Sequence, residues 1–233
     1  MKNTPLILAL LAGLSLQGAG QAALIDRGGG LIYDSVLNIT WLADANYAKT
    51  SGHDADGIMT WDAAVAWAAD LSYYDSVRNV TYTDWRLPNT LQPDPSCSVQ
   101  FDHGPPHGQQ SSGYGCTGSE MGYMFYVNMG ATAGTSILSG TNAANLALFT
   151  NLQSSWYWSG LEVAPIPFAA WGFGTVGGGQ FACAKGFGES ACGLYAWAVR
   201  PGDVDAAHGV PEPATLGLLA LGLLGLGLAR RRG

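Results

Sequence analysis

Apolar positions recur along this chain with two different periods, and the periods divide it into helical and extended stretches. Trp61, Ala64, Val65, Ala68 and Leu71 stand at i, i+3, i+4, i+7 and i+10, one face of an α-helix. Thr60 is placed to cap that helix, and Asp62 favours its positive N-terminal end. A second helix is predicted over 119–127, with Ser119 as its cap. Elsewhere the pattern is extended. Residues 24–34 read as a strand, a turn at Gly28-Gly29-Gly30 and a second strand, and 38–42 as a third. Trp156 alternates with Trp158, and Tyr195 with Trp197, as on strands with one buried face, and 169–173 is also β-like. Residues 130–140 read as loop and 142–152 as a weak helix or turn. Together these elements predict an α+β fold, a compact mixed domain with two main helices and several short antiparallel strands.

Two apolar runs fall outside this pattern, one at each end. Lys2 precedes an apolar stretch from Pro5 to Leu16 and then Gly20-Gln21-Ala22, the layout of a secretory signal peptide (1–22) cleaved after Ala22. Residues 214–229 contain nothing that ionises and stop at Arg230-Arg231-Arg232. A positive cluster beside an apolar segment is retained on the cytoplasmic side, so this run reads as a C-terminal transmembrane helix in the inner membrane. It is short against the ~20 residues a bilayer core requires, which suits transient anchoring. Val210-Pro211-Glu212-Pro213 stands directly before it. Motif, apolar run and arginine triplet, in that order, resemble the PEP-CTERM sorting signal of Gram-negative bacteria. The resemblance makes 206–233 a sorting tail. It implies export by the secretion machinery, anchoring, and processing by an exosortase-type enzyme in exopolysaccharide-making cells. The protein would end at the cell surface or in the extracellular matrix.

With both ends set aside, the chain of 233 residues, 48% hydrophobic, suffices for one domain with a substantial core. Six basic against sixteen acidic residues leave 23–209 at about −10. Such a body repels anionic polymers at long range, which argues against nucleic acid as a partner. Four cysteines in an exported chain read as two disulfides, for which three connectivities exist. Nearest-neighbour pairing, Cys97–Cys116 and Cys183–Cys192, closes two Gly-rich loops. A zinc site is disfavoured because there is no C-x-x-C and because His103 and His107 merely flank Gly-Pro-Pro. Asp54-Ala55-Asp56-Gly57 resembles a fragment of a calcium loop, but the distal Glu is missing and a solvated turn is the better reading. No metal or cofactor is implied.

Four short motifs carry a second resemblance. They are Trp61–Ala68, Asp84-Trp85-Arg86-Leu87-Pro88, Tyr157-Trp158-Ser159-Gly160 and Ala196-Trp197-Ala198-Val199-Arg200-Pro201. In this order they are similar to domains of the Lcl C-terminal type, named after a collagen-like adhesin, across about 23–205. The resemblance implies a mixed domain related to C-type-lectin-like folds with an extracellular role; the founding domain binds sulfated glycans. Here the chain departs by inserting 93–118, rich in Gly, Pro, Ser and Gln, which reads as a disulfide-stapled surface loop. With so few basic residues a cationic groove cannot be carried over. Stacking on aromatic faces is the alternative, and Trp85, Trp156, Trp158, Trp171 and Trp197 are the candidates, unless they fill the core.

Catalytic motifs are absent: neither G-x-S-x-G, nor a phosphate loop, nor H-E-x-x-H occurs. Gly172 to Gly177 matches G-x-G-x-x-G, but no helix pattern follows it. His53, His103, His107 and His208 fall in loops, and the pairs Asp54/Asp56 and Asp203/Asp205 lie in turn-like surroundings with nothing to raise a pKa. The expectation is therefore an exported, non-enzymatic, surface-associated protein that binds exopolysaccharide or other glycans. The alternatives are an enzyme acting on envelope polysaccharide and a purely structural matrix protein.

Overall fold

Short runs of β-branched and aromatic residues, cut every few positions by Gly, Asn and Asp, form strands too brief to stand alone and so collect into sheets. The computed structural model describes residues 24–164, 166–186 and 192–205. The signal peptide and the sorting tail, including 214–229, lie outside the described residues. Strands β1 (Leu24–Asp26), β2 (Leu31–Asp34) and β3 (Ile39–Leu42) follow one another as antiparallel neighbours. After helix α1 (Tyr47–Thr50) come β4 (Ile58–Met59), helix α2 (Trp61–Asp70), β5 (Tyr73–Asp75) and β6 (Val80–Tyr82). Then follow β7 (Val99–Asp102), β8 (Gln109–Ser112), α3 (Glu120–Tyr123), α4 (Ala143–Leu146), β9 (Trp156–Val163), β10 (Ile166–Gly174) and β11 (Gly179–Ala184). The last strands are β12 (Leu194–Tyr195) and β13 (Val199–Pro201).

Two larger sheets result, one of order β1-β2-β3-β13 and one of order β11-β10-β9-β12-β4, beside the hairpins β5–β6 and β7–β8. The chain passes between the larger sheets through Ala196-Trp197-Ala198, all fully buried. Trp197 fastens that crossing. Its Nε1 donates to the Leu42 carbonyl oxygen at 2.7 Å, and its ring lies 4.7 Å from Trp41 and 5.1 Å from Phe149. Beside it, Arg86 and Val199 exchange backbone hydrogen bonds at 2.8 and 2.9 Å, so two motifs far apart in sequence are paired in space.

Helix α2 forms as its period predicts. The Thr60 hydroxyl accepts from Ala63 N at 3.3 Å, and Trp61, Ala64 and Ala68 face the core. Trp67, rather than Val65, completes the buried stripe. The second predicted helix differs. It is the single turn α3 running into a π-helix, Met124–Asn128. Ser119 makes no cap, because its hydroxyl instead donates to Gln180 Oε1 at 2.6 Å and accepts from Leu91 N at 3.0 Å.

The expected α+β fold with two main helices, related to C-type lectins, is thus corrected. Thirteen strands in four sheets dominate the described residues, and α2 is the one α-helix longer than four residues among them. The physical reason is punctuation: turn residues interrupt the apolar periodicity before most helices could propagate. No helix among the described residues is long and apolar enough to cross a membrane, so the expected transmembrane helix is not found there.

Two hairpins are built alike. In Tyr33–Thr40 and again in Tyr74–Thr81, an Asp accepts the next N–H groups (Val36 and Leu37; Val77 and Arg78). In each, a Tyr hydroxyl donates to Asn Oδ1 (Asn38 at 3.0 Å, Asn79 at 2.7 Å), and the Asn sits at positive φ. Asn tolerates that left-handed region, which is why it stands in both turns.

Candidate functional site

The five candidate tryptophans do not share a surface. Trp158 and Trp197 are fully buried, and Trp158 Nε1 donates to the Met59 carbonyl oxygen at 2.9 Å. Trp85 is also in the core and borders a hollow of about 190 Å³ with Val65, Ala69 and Asn89. Trp156 is the exposed one, at 43%. Its ring lies across Gly174 of the neighbouring strand, where a Cβ would come within 2.5 Å of it, and meets Phe181 edge-on at 4.6 Å. Trp171 is buried, yet it lines the larger cleft.

That cleft, of about 380 Å³, lies between the insertion and the β9–β10 hairpin, within the range of small-ligand sites. The insertion is more than a stapled loop. Strands β7 and β8 pair over Val99–Asp102 and Gln109–Ser112, and Gly113 exchanges backbone bonds with Gln180 of the sheet's edge strand β11 at 2.9 and 2.8 Å. The hairpin thereby covers an edge whose N–H and C=O groups would otherwise be open to pairing. Cys97–Cys116 holds its base, with Cα atoms 4.2 Å apart. Ser111 is the hub. Its hydroxyl donates to Gln100 Oε1 at 2.6 Å and accepts from Asp94 N at 2.9 Å, while Gln92 binds its backbone on both sides. Cys183–Cys192, the second disulfide, packs against the α2 side of the core.

Around the cleft stand Gln92, His107, Gln109, Gln110, Glu162 and Trp171. Gln92 is committed to Ser111. Gln110 is not: it is 2% exposed and its Oε1 is buried with no hydrogen-bond partner. Leaving such an acceptor unpaired costs ~1–3 kcal/mol; Trp41 Nε1, Asn46 Oδ1, Asn128 Oδ1 and Arg200 Nη1 are buried in the same way, and Gln110 is the one of these residues that lines the cleft. Glu162 pairs with Lys185, whose ammonium also lies 4.4 Å from the Trp61 ring centre.

Several other carboxylates are held in turns and ion pairs of the fold. Asp54 Oδ1 accepts from Asp56 N at 3.0 Å and Gly57 N at 2.7 Å. Burial would raise the Asp54 pKa, but these N–H groups outweigh it and hold the carboxyl below its ordinary value. The turn reading of the calcium-like fragment therefore has a geometry of its own. Asp94 lies by the Cys97–Cys116 sulfurs, but they are spent in the disulfide, and the carboxylate accepts from Ser96 N and Gly118 N, both at 2.9 Å.

Asp203 and Asp205 belong to a clasp. Arg27 binds Asp203 through Nε at 3.0 Å and Nη2 at 2.5 Å, and Arg78 binds Asp75 at 2.7 Å and Asp205 at 2.5 Å. Arg78 also donates to the Arg27 carbonyl oxygen at 2.8 Å. The clasp joins the start of the described body to its end, directly before the tail.

Compared with known proteins, the chain matches the family model of the PEP-CTERM protein-sorting motif over residues 209–232. That span holds Val210, Pro211, Glu212, Pro213 and Arg230–Arg232. The motif marks an exported protein sorted at its C-terminus to the cell envelope, with an exosortase as its processing partner. Neither the curated proteins nor the solved structures give a match.

Proposed function

We propose that the body, residues 24–205, binds exopolysaccharide or another envelope glycan in the cleft between the β7–β8 insertion and the β9–β10 hairpin, without cleaving it. The observation that carries this reading is Gln110 Oε1, buried and unpartnered in the wall of a cleft of ligand size. A sugar supplies what the lining lacks, hydroxyl donors on its edges and C–H faces for apolar side chains such as Trp171 and Leu161. Glu162 is the one carboxylate among the described lining residues, whereas glycoside hydrolysis ordinarily uses two flanking the scissile bond. This favours binding over hydrolysis. Sorting to the envelope supports this reading, since glycan polymers are common there.

Affinity electrophoresis of the full chain, through gels containing exopolysaccharide from a producing strain, tests the proposal. Retardation should be lost in Ala164→Phe, which fills the cleft, and kept in Trp156→Ala, which lies elsewhere. Equal retardation of both variants and the parent contradicts the cleft; steady release of reducing sugar supports the enzyme alternative.

A further inference from the structure

We infer that the cleft selects an uncharged polysaccharide, whose hydroxyl donates to Gln110 Oε1, and discriminates against sulfated and uronic-acid polymers. The inference rests on the glycan reading above and specifies its ligand.

The lining defines the ligand's chemistry by what is already spent. Gln92 uses both ends of its amide on Ser111, donating at 2.8 Å and accepting at 2.7 Å, so it shapes the wall without offering a free group. Gln110 Oε1 is an acceptor still to be paired. It requires a donor: a sulfate ester at the bound position removes the hydroxyl that would serve, and a carboxylate there has none to give at neutral pH. A hydroxyl does. Glu162, with its side chain 51% exposed, stands at the same cleft with its charge offset by Lys185, so the lining offers an anion no free cation. An anion entering there would be desolvated without a counter-charge.

Nor does the rest of the body supply a cation. All six of its lysines and arginines lie in the described residues, and Arg27, Arg78, Arg86, Lys185 and Arg200 are each ion-paired within the fold. Lys49, on α1, is the one without a salt bridge among the described residues. Binding to polyanions is dominated by cationic contacts that release counterions, and this body has spent nearly all of its cations on itself. The apolar contribution of Trp171 and Leu161 is indifferent to charge and serves a neutral pyranose well.

The test is affinity electrophoresis of the full chain in a detergent without a sugar headgroup, at physiological salt and at pH 8. The probes are dextran, laminarin and galactomannan, their sulfated derivatives, and alginate. At least one neutral polymer should retard the protein, and its sulfated form should bind about tenfold or more weakly, as expected for one lost hydrogen bond plus the desolvation of an unpaired charge. Gln110→Met should weaken the neutral complex about tenfold. Glu162→Gln should leave neutral binding intact and narrow the gap to the sulfated form. Equal or tighter binding of the sulfated polymers or alginate overturns the inference and leaves the glycan reading standing. No retardation by any polymer overturns both.

Discussion

Gln180 Nε2 donates to the Ser111 carbonyl oxygen at 3.1 Å, and that bond joins the inserted hairpin to the edge of the five-stranded sheet. The other end of the same amide accepts from Ser119. Gln180→Ala leaves the buried Ser119 hydroxyl without its acceptor, while the Ser111 carbonyl oxygen keeps Gln92 Nε2, and should cost ~1–3 kcal/mol in urea unfolding. The backbone pair with Gly113 survives the change, so the hairpin should loosen rather than detach.

Gly122 makes a sharper case because two effects oppose. It sits in α3, where Ala is the better helix former by ~1 kcal/mol. A Cβ there, however, would run into the Cys116 carbonyl oxygen, which the disulfide holds in place. Steric conflict should win, and Gly122→Ala should lower the melting temperature. A rise would show that the insertion is not anchored as described.

The clasp gives the protein an acid limb. Burial would raise the Asp75 pKa, but the Arg78 guanidinium and the N–H groups of Val77 and Arg78 more than reverse this, so its carboxyl lies below the ordinary value. A folded-state pKa below the unfolded one means that the contribution is fully present above about pH 4 and is lost as pH falls through the lower, folded value. Asp75→Asn should cost about 3 kcal/mol at pH 7, since it uncouples a buried pair, and should flatten the loss of stability below pH 4. Chemical unfolding from pH 7 to pH 2.5 reads both.

Trp156 and Trp158 stand on the same face of one strand yet differ in what surrounds them. Trp158 packs with α2, while Trp156 lies over Gly174 and is open to solvent. Trp158→Ala should destabilise by ~3–5 kcal/mol and Trp156→Ala by far less, measured by thermal unfolding.

This pair shows what the sequence could and could not convey. Alternation assigned both residues to one face, but coverage of that face depends on α2, nearly a hundred residues earlier. Helix α2 was legible because its period is uninterrupted. The β5–β6 hairpin was equally legible, since Tyr74–Thr81 repeats Tyr33–Thr40 at six of eight positions, but the repetition is easily passed over. Reading a helix over 119–127 required Ser119 to act as a cap, and only the tertiary partner Gln180 explains why it does not. The cleft was not legible at all. Its walls, at Gln110 and Glu162, meet because Gly113 pairs with Gln180, a register that no local pattern encodes.

Gln110 also separates function from stability in one measurement, thermal unfolding of the parent and of Gln110→Met with and without the neutral polysaccharide that binds best. Met fills similar space and removes an acceptor that has no partner in the free protein. The free variant should therefore be at least as stable as the parent, while the same polymer concentration should raise the melting temperature of the parent clearly more than that of the variant. A free variant destabilised by ~1–3 kcal/mol that still responds fully to the polymer would contradict Gln110 as the group awaiting a ligand.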